Sequence, residues 1–82
     1  MTRKLKIATS QFAVNSGIEK NLSVIKKQIK IAAEKKVRIV HFSECCLSGY
    51  GGFDFEKYSP KAEKQIQNGI SEIQKAAKQN KI

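Results

Sequence analysis

Tryptophan is absent, proline and histidine occur once each, and the only two cysteines are neighbours, Cys45 and Cys46. Each scarcity closes off a class of protein. A structural zinc site needs spaced pairs of Cys or His, so neither a metal nor a cofactor is expected. A disulfide between sequence neighbours demands a strained geometry, which leaves both thiols reduced. No apolar run approaches the length of a membrane span, and Thr9, Ser10 and Gln11 interrupt the one stretch with the look of a signal-peptide core. No membrane association is therefore expected, and a cytoplasmic location is the default. Internal repeats, low-complexity tracts and linkers are missing too.

Acidic residues are also scarce, 7 against 16 Lys and Arg, which gives a formal net charge of +9. Such a surface attracts polyanions over long range. Most of the lysines fall on the polar faces of two predicted helices, and no aromatic residue alternates with them as a base-stacking platform requires. No specific nucleic-acid partner is expected.

What is present belongs to an ordinary soluble globular protein: 40% hydrophobic and 28% charged residues in a chain of 82. That length allows at most one small domain, burying roughly 60 to 65% of the surface its unfolded form exposes. Residues 4–12, KLKIATSQF, read as a buried strand. Asn15, Ser16 and Gly17 turn the chain, and Ser16 with Glu19 makes a capping-box pattern for a helix. Ile18, Leu22, Ile25, Ile29 and Ala32 place an apolar stripe along that helix, with Lys20, Lys26, Lys27 and Lys30 largely on the other side. Val37 to Phe42 is a second, β-branched strand. Strand, helix and strand make a βαβ unit, so the two strands are predicted to lie parallel.

From Ser43 to Ser59 no periodicity appears, and a connection that long is more often a functional loop than an idle one. Ser59 and Pro60 supply an N-cap and first-turn proline for a second helix, whose stripe is Ala62, Ile66, Ile70, Ile73 and Ala77, with Gly69 as a weak point inside. Asn80 to Ile82 would then hand over to a third strand. Two strands and two helices leave a parallel sheet poorly covered, so residues 1–82 are expected to be the opening, truncated part of a larger α/β domain.

The stretch that carries chemistry is Ile39 to Tyr50, IVHFSECCLSGY. Four residues of strand character run into one carboxylate, Glu44, and the chain breaks into the glycine-rich GYGG at 49–52. Ligands of open α/β sheets bind at the carboxyl ends of strands, where Glu44 would sit. GYGG has neither the spacing of a dinucleotide fingerprint nor the Gly-Lys-Ser/Thr ending of a P-loop. Its expected role is a tight turn beside Glu44. A lone glutamate after a strand is, by itself, most often a solvated turn residue.

This stretch resembles the first catalytic motif of the carbon-nitrogen hydrolases, the nitrilase superfamily, in which an apolar strand ends in Pro-Glu and Gly-Tyr follows a few residues on. Ile7 to Gln11, IATSQ, is similar to the family's first strand with its closing glutamine. Ser43 stands where the family usually has proline, and His41 interrupts the apolar strand. The resemblance implies a βαβα start of an αββα sandwich, parallel strands with helices packed on the sheet. It also implies Glu44 as a general base working with a lysine and a nucleophilic cysteine from later strands. In the family the glutamate takes a proton from the cysteine thiol, the thiol attacks an amide or nitrile carbon, and the lysine stabilises the tetrahedral intermediate. The implied partners are a small-molecule amide or nitrile and, in the complete protein, further copies of itself. Lacking lysine and cysteine of that triad, this stretch alone would be inactive. Tyr50 is a candidate for substrate contact, and Phe53 for lining a pocket; both serve equally as residues that pin the loop. Cys45 and Cys46 do not match the nucleophile's motif and read as small packing residues. His41 reads as a hydrogen-bonded core or edge residue. Two other readings stay open: a small basic βαβα module that binds an anionic partner, and a decayed gene product without independent function.

Overall fold

The computed structural model describes residues 4–49 and 59–82. The order is β1 (Ile7–Ser10), α1 (Ile18–Glu34), β2 (Ile39–Phe42) and α2 (Pro60–Gln79). β1 and β2 pair in parallel, Ile7 opposite Ile39 through Ser10 opposite Phe42, as the βαβ reading requires. Arg38 N–H donating to the Lys6 carbonyl at 2.9 Å extends the pairing by one rung. Both strands are shorter than the apolar runs that suggested them. Among the described residues no third strand follows Asn80.

α1 begins at Ile18, but the capping box does not form. Gly17 is the N-cap and receives no side-chain cap; instead Asn15 Oδ1 accepts the Gly17 N–H at 2.8 Å in a local turn. Ser16 lies one residue outside the helix, so its hydroxyl is not placed at the first turn. α2 begins as predicted, with Ser59 Oγ accepting the Ala62 N–H at 3.1 Å and Pro60 at the first helical position.

Both helices end in the same way. Val37 N–H reaches back to the Ala32 carbonyl and Lys36 N–H to Ala33; Ile82 N–H reaches Ala77 and Lys81 N–H reaches Lys78. These are paired Schellman closures, which require a left-handed residue just past the helix, normally glycine. Here lysines occupy it, Lys36 at φ 63° and Lys81 at φ 57°. Left-handed backbone costs a β-carbon-bearing residue about 1–2 kcal/mol, while glycine gives back up to about 1 kcal/mol as unfolded-chain entropy. We expect Lys36→Gly and Lys81→Gly each to raise stability by about 0.5–1 kcal/mol in urea unfolding. Destabilisation by both would contradict this account of the helix ends.

The helices run side by side in the same direction. Lys26 of α1 meets Glu72 of α2 at 3.5 Å, and Ile25 and Ile29 pack with Ala76. Around those three gather Phe12, Phe42, Cys46, Leu47, Ile73 and Ile82. The inner face of the sheet, Ala8, Ser10 and Val40, lies across a small cavity from Gln28, Ile31 and Ala32 of α1. Ser10 is 8% exposed, and its Oγ has no hydrogen-bond partner. The outer face is bare: Ile7 and Ile39 are 58% and 48% exposed, beside Leu5 at 59%. The expected buried first strand is thus buried on one side only, because no described element covers the other. Among the described residues no helix is long and apolar enough to cross a membrane.

Gly69 corrects another expectation. It is buried, and a β-carbon there would lie 2.9 Å from Leu47 Cδ2. The missing side chain that weakens the helix by its propensity is what lets Leu47 seat against it. The stripe rotates with it: Ala76 and Gly69 are buried while Ile70 is 48% exposed.

Candidate active-site turn

β2 ends at Phe42, and after Ser43 the chain enters a turn over residues 44–48. Glu44 opens that turn. Cys45 takes φ 55°, a left-handed conformation uncommon for a residue with a side chain, and Gly49 takes φ 80°. The Gly49 N–H closes on the Cys45 carbonyl at 2.8 Å, and Ser48 Oγ donates to the Gly49 carbonyl at 3.0 Å. Gly49 thus closes the turn that Glu44 opens, and the rest of the glycine-rich stretch lies outside the described residues. Strained backbone of this kind persists only where its surroundings over-determine it.

Three contacts supply that constraint. Asn21, on the first turn of α1 and 1% exposed, donates from Nδ2 to the Leu47 carbonyl at 2.9 Å and to the Asn15 carbonyl at 2.6 Å, while its Oδ1 accepts the Asn15 N–H at 2.7 Å. The Leu47 side chain seats on Gly69 of α2. Cys46 packs against Ile25, Ile29 and Ala76. One amide therefore ties the loop leaving β1 to the turn leaving β2, and both helices hold the turn from below.

Glu44 itself is exposed; it lines neither the small cavity beneath the sheet nor a larger one at the helix starts, both formed among the described residues. The larger cavity, about 570 Å³, opens between the N-terminal turn of α1, Ser48 and the first turns of α2. The described residues hold the turn that carries the carboxylate and leave the carboxylate itself open. His41 is exposed on the outer sheet face, its backbone opposite Thr9; of the core and edge places open to it, it takes the edge. Strand alternation stops at Phe42, so it does not govern where Glu44 points. Cys45 is exposed and is no packing residue; Cys46 is half-buried and is one. Burial pushes the Cys46 thiol up from its ordinary range, a backbone hydrogen bond opposes this, and the neighbouring Cys45 adds to it. A thiol held protonated is a poor nucleophile, in keeping with a packing role. Tyr50 and Phe53 lie outside the described residues, as do Gly51 and Gly52. Among the described residues no cluster of three metal-ligating side chains exists.

Asn21 is the residue that reading the sequence missed. Its signal was there: Asn21, Ile25, Ile29 and Ala32 follow spacings of four, four and three, so the amide lies on the buried stripe. A buried polar residue on that stripe needs hydrogen-bond partners, and here it makes three hydrogen bonds, to Asn15 and Leu47.

The family model for carbon-nitrogen hydrolases matches residues 6–82, from β1 to the end of α2. The chain belongs to the carbon-nitrogen hydrolases, the nitrilase superfamily, of which these residues form the N-terminal portion. No curated protein and no solved structure matches it.

Proposed function

We propose that this chain supplies the general base, Glu44, for hydrolysis of a non-peptide carbon-nitrogen bond in a small amide or nitrile. One observation carries the reading: within a stretch matched to the family, a parallel strand ends in a carboxylate on a turn locked by Asn21, Gly69 and Gly49. A base must be held to a fraction of an ångström to take a thiol proton, and a turn anchored to two helices is suited to that. The nucleophilic cysteine and the oxyanion-stabilising lysine come from outside residues 1–82, on elements that cover the bare outer face of Leu5, Ile7 and Ile39. Closing those elements over Glu44 excludes water from the carboxylate and brings the thiol within hydrogen-bond reach of it, as general-base catalysis requires.

Alone, the 82-residue chain is expected to release no ammonia from simple amides or nitriles above the buffer rate. A base without its nucleophile forms no covalent intermediate, and members of a catalytic unit do little singly. Turnover by this chain that disappears in Glu44→Gln would mean that the chain carries a nucleophile of its own.

A further inference from the structure

The topology collects positive charge at one end of the molecule. Both strands start and both helices finish at the pole opposite Glu44, since α1 and α2 run in the same direction and the strands run against them. Lys6, Lys35, Lys36, Arg38, Lys78 and Lys81 meet there, all exposed. Lys6 Nζ donates to the Lys35 carbonyl at 2.8 Å and Arg38 N–H to the Lys6 carbonyl at 2.9 Å, which ties the strand starts to the end of α1; Lys78 and Lys81 close the end of α2, which Ile82 packs against the same core of Ile25, Ile29 and Ala76. Glu34, the last residue of α1, is the acid that accompanies them. The ion pairs found among the described residues both use Glu72, further up the helices, and involve none of these six.

Lysines at helix ends have an ordinary explanation, because they offset the negative end of the helix dipole. That explanation is too small here. Two helix C-termini amount to about one negative charge together, and Glu34 adds another. Six cations exceed that by about four.

We infer that this pole is a docking surface for the phosphodiester backbone of duplex nucleic acid, read by charge and not by sequence. Duplex carries one charge per about 1.7 Å of its axis. An extended acidic peptide turns every second side chain away and offers one carboxylate per about 6.6 Å. The backbone of a duplex therefore matches a tight cluster of cations better. Five of the six are lysines, which meet phosphate as point charges. The absence of Trp, and of any aromatic among the six, removes base stacking. The surface lies at the far end from the turn of Glu44, so it is separate from the proposed chemistry and does not rest on it.

The test compares location at constant charge. The intact 82-residue chain is titrated against a random 20-base-pair DNA duplex from 50 to 200 mM salt. The same is done for Lys36→Gly/Lys78→Gln/Lys81→Gly at the pole, and for Lys20→Gln/Lys61→Gln/Lys64→Gln near the starts of the helices. Six phosphate contacts predict a log-log salt slope of about −5. The pole variant should lose about three from that slope and bind at least about tenfold more weakly at 100 mM salt. The other variant, with the same net charge, should stay within about twofold of the parent. Circular dichroism monitors the fold, and glycine at 36 and 81 suits the left-handed backbone already there. Equal weakening by both variants would reduce the effect to net charge and overturn the proposal. Displacement of the duplex by polyglutamate at equal charge concentration would replace nucleic acid with an acidic polypeptide and overturn it as well.

Discussion

Glu44→Gln is expected to lower kcat by about 10² to 10⁴-fold in an active carbon-nitrogen hydrolase whose own first strands and helices have been exchanged for residues 6–82 of this chain. Glutamine keeps the shape and most of the hydrogen bonding of glutamate and loses the proton affinity, so the change isolates basicity. KM should move little, because the loss falls on a step after substrate binding. Glu63→Gln in the same hybrid is the control: it lies in the first turn of α2, on the same protein and of the same charge, but off the strand-end turn. If Glu44→Gln and Glu63→Gln gave rates within about threefold of the parent hybrid, Glu44 would not be the base. The hybrid matters because in the isolated chain the carboxylate is exposed. In the hybrid the neighbouring elements can bring the thiol within hydrogen-bond reach of it.

Much of this arrangement could be read from residue order. Alternation and β-branching placed β1 and β2, the four-three spacing placed both helices, and Ser59-Pro60 marked the start of α2, because each signal is local and needs no knowledge of neighbours. The failures share a cause. Ser16 and Glu19 have the spacing of a capping box, but Asn15 turns the chain one residue later, and the cap position moves to Gly17. Gly69 looks like a defect to helix propensity, whose scale cannot know that Leu47 arrives from 22 positions earlier to fill the space. Cys45 was assigned an interior that the fold leaves open. Of the site, the carboxylate and its glycine were legible, and the anchor was not. A buried amide bonding a carbonyl 26 residues away is a long-range fact that no local pattern encodes.

Removing that anchor is expected to cost more stability than either helix-end glycine gains. Asn21→Leu fills a similar volume and leaves the Leu47 carbonyl, the Asn15 carbonyl and the Asn15 N–H without the partners they have now. These groups are only part-buried, so water recovers some of the loss. We expect about 2–4 kcal/mol in urea unfolding, against a total for a chain of this size of about 4–12 kcal/mol. Asn21→Asp distinguishes lost hydrogen bonds from lost packing. Its carboxylate can still accept the Asn15 N–H, but it faces two carbonyl oxygens in a buried site, which raises its folded-state pKa. A carboxyl with a raised folded pKa takes up its proton more readily when folded, so that variant gains stability as pH falls and loses it as pH rises through the folded pKa. The Asp variant should therefore recover stability relative to Asn21→Leu at pH 4 and fall to or below it at pH 7. The turn gives a second readout. With Asn21 gone, the Leu47 carbonyl is released, and the Cys46 thiol, now half-buried and slow, should react with a disulfide reagent at a rate approaching that of Cys45. Stability of Asn21→Leu within about 0.5 kcal/mol of the parent, with Cys46 still protected, would mean that Gly69 and the core hold the turn unaided and that the amide does not position Glu44.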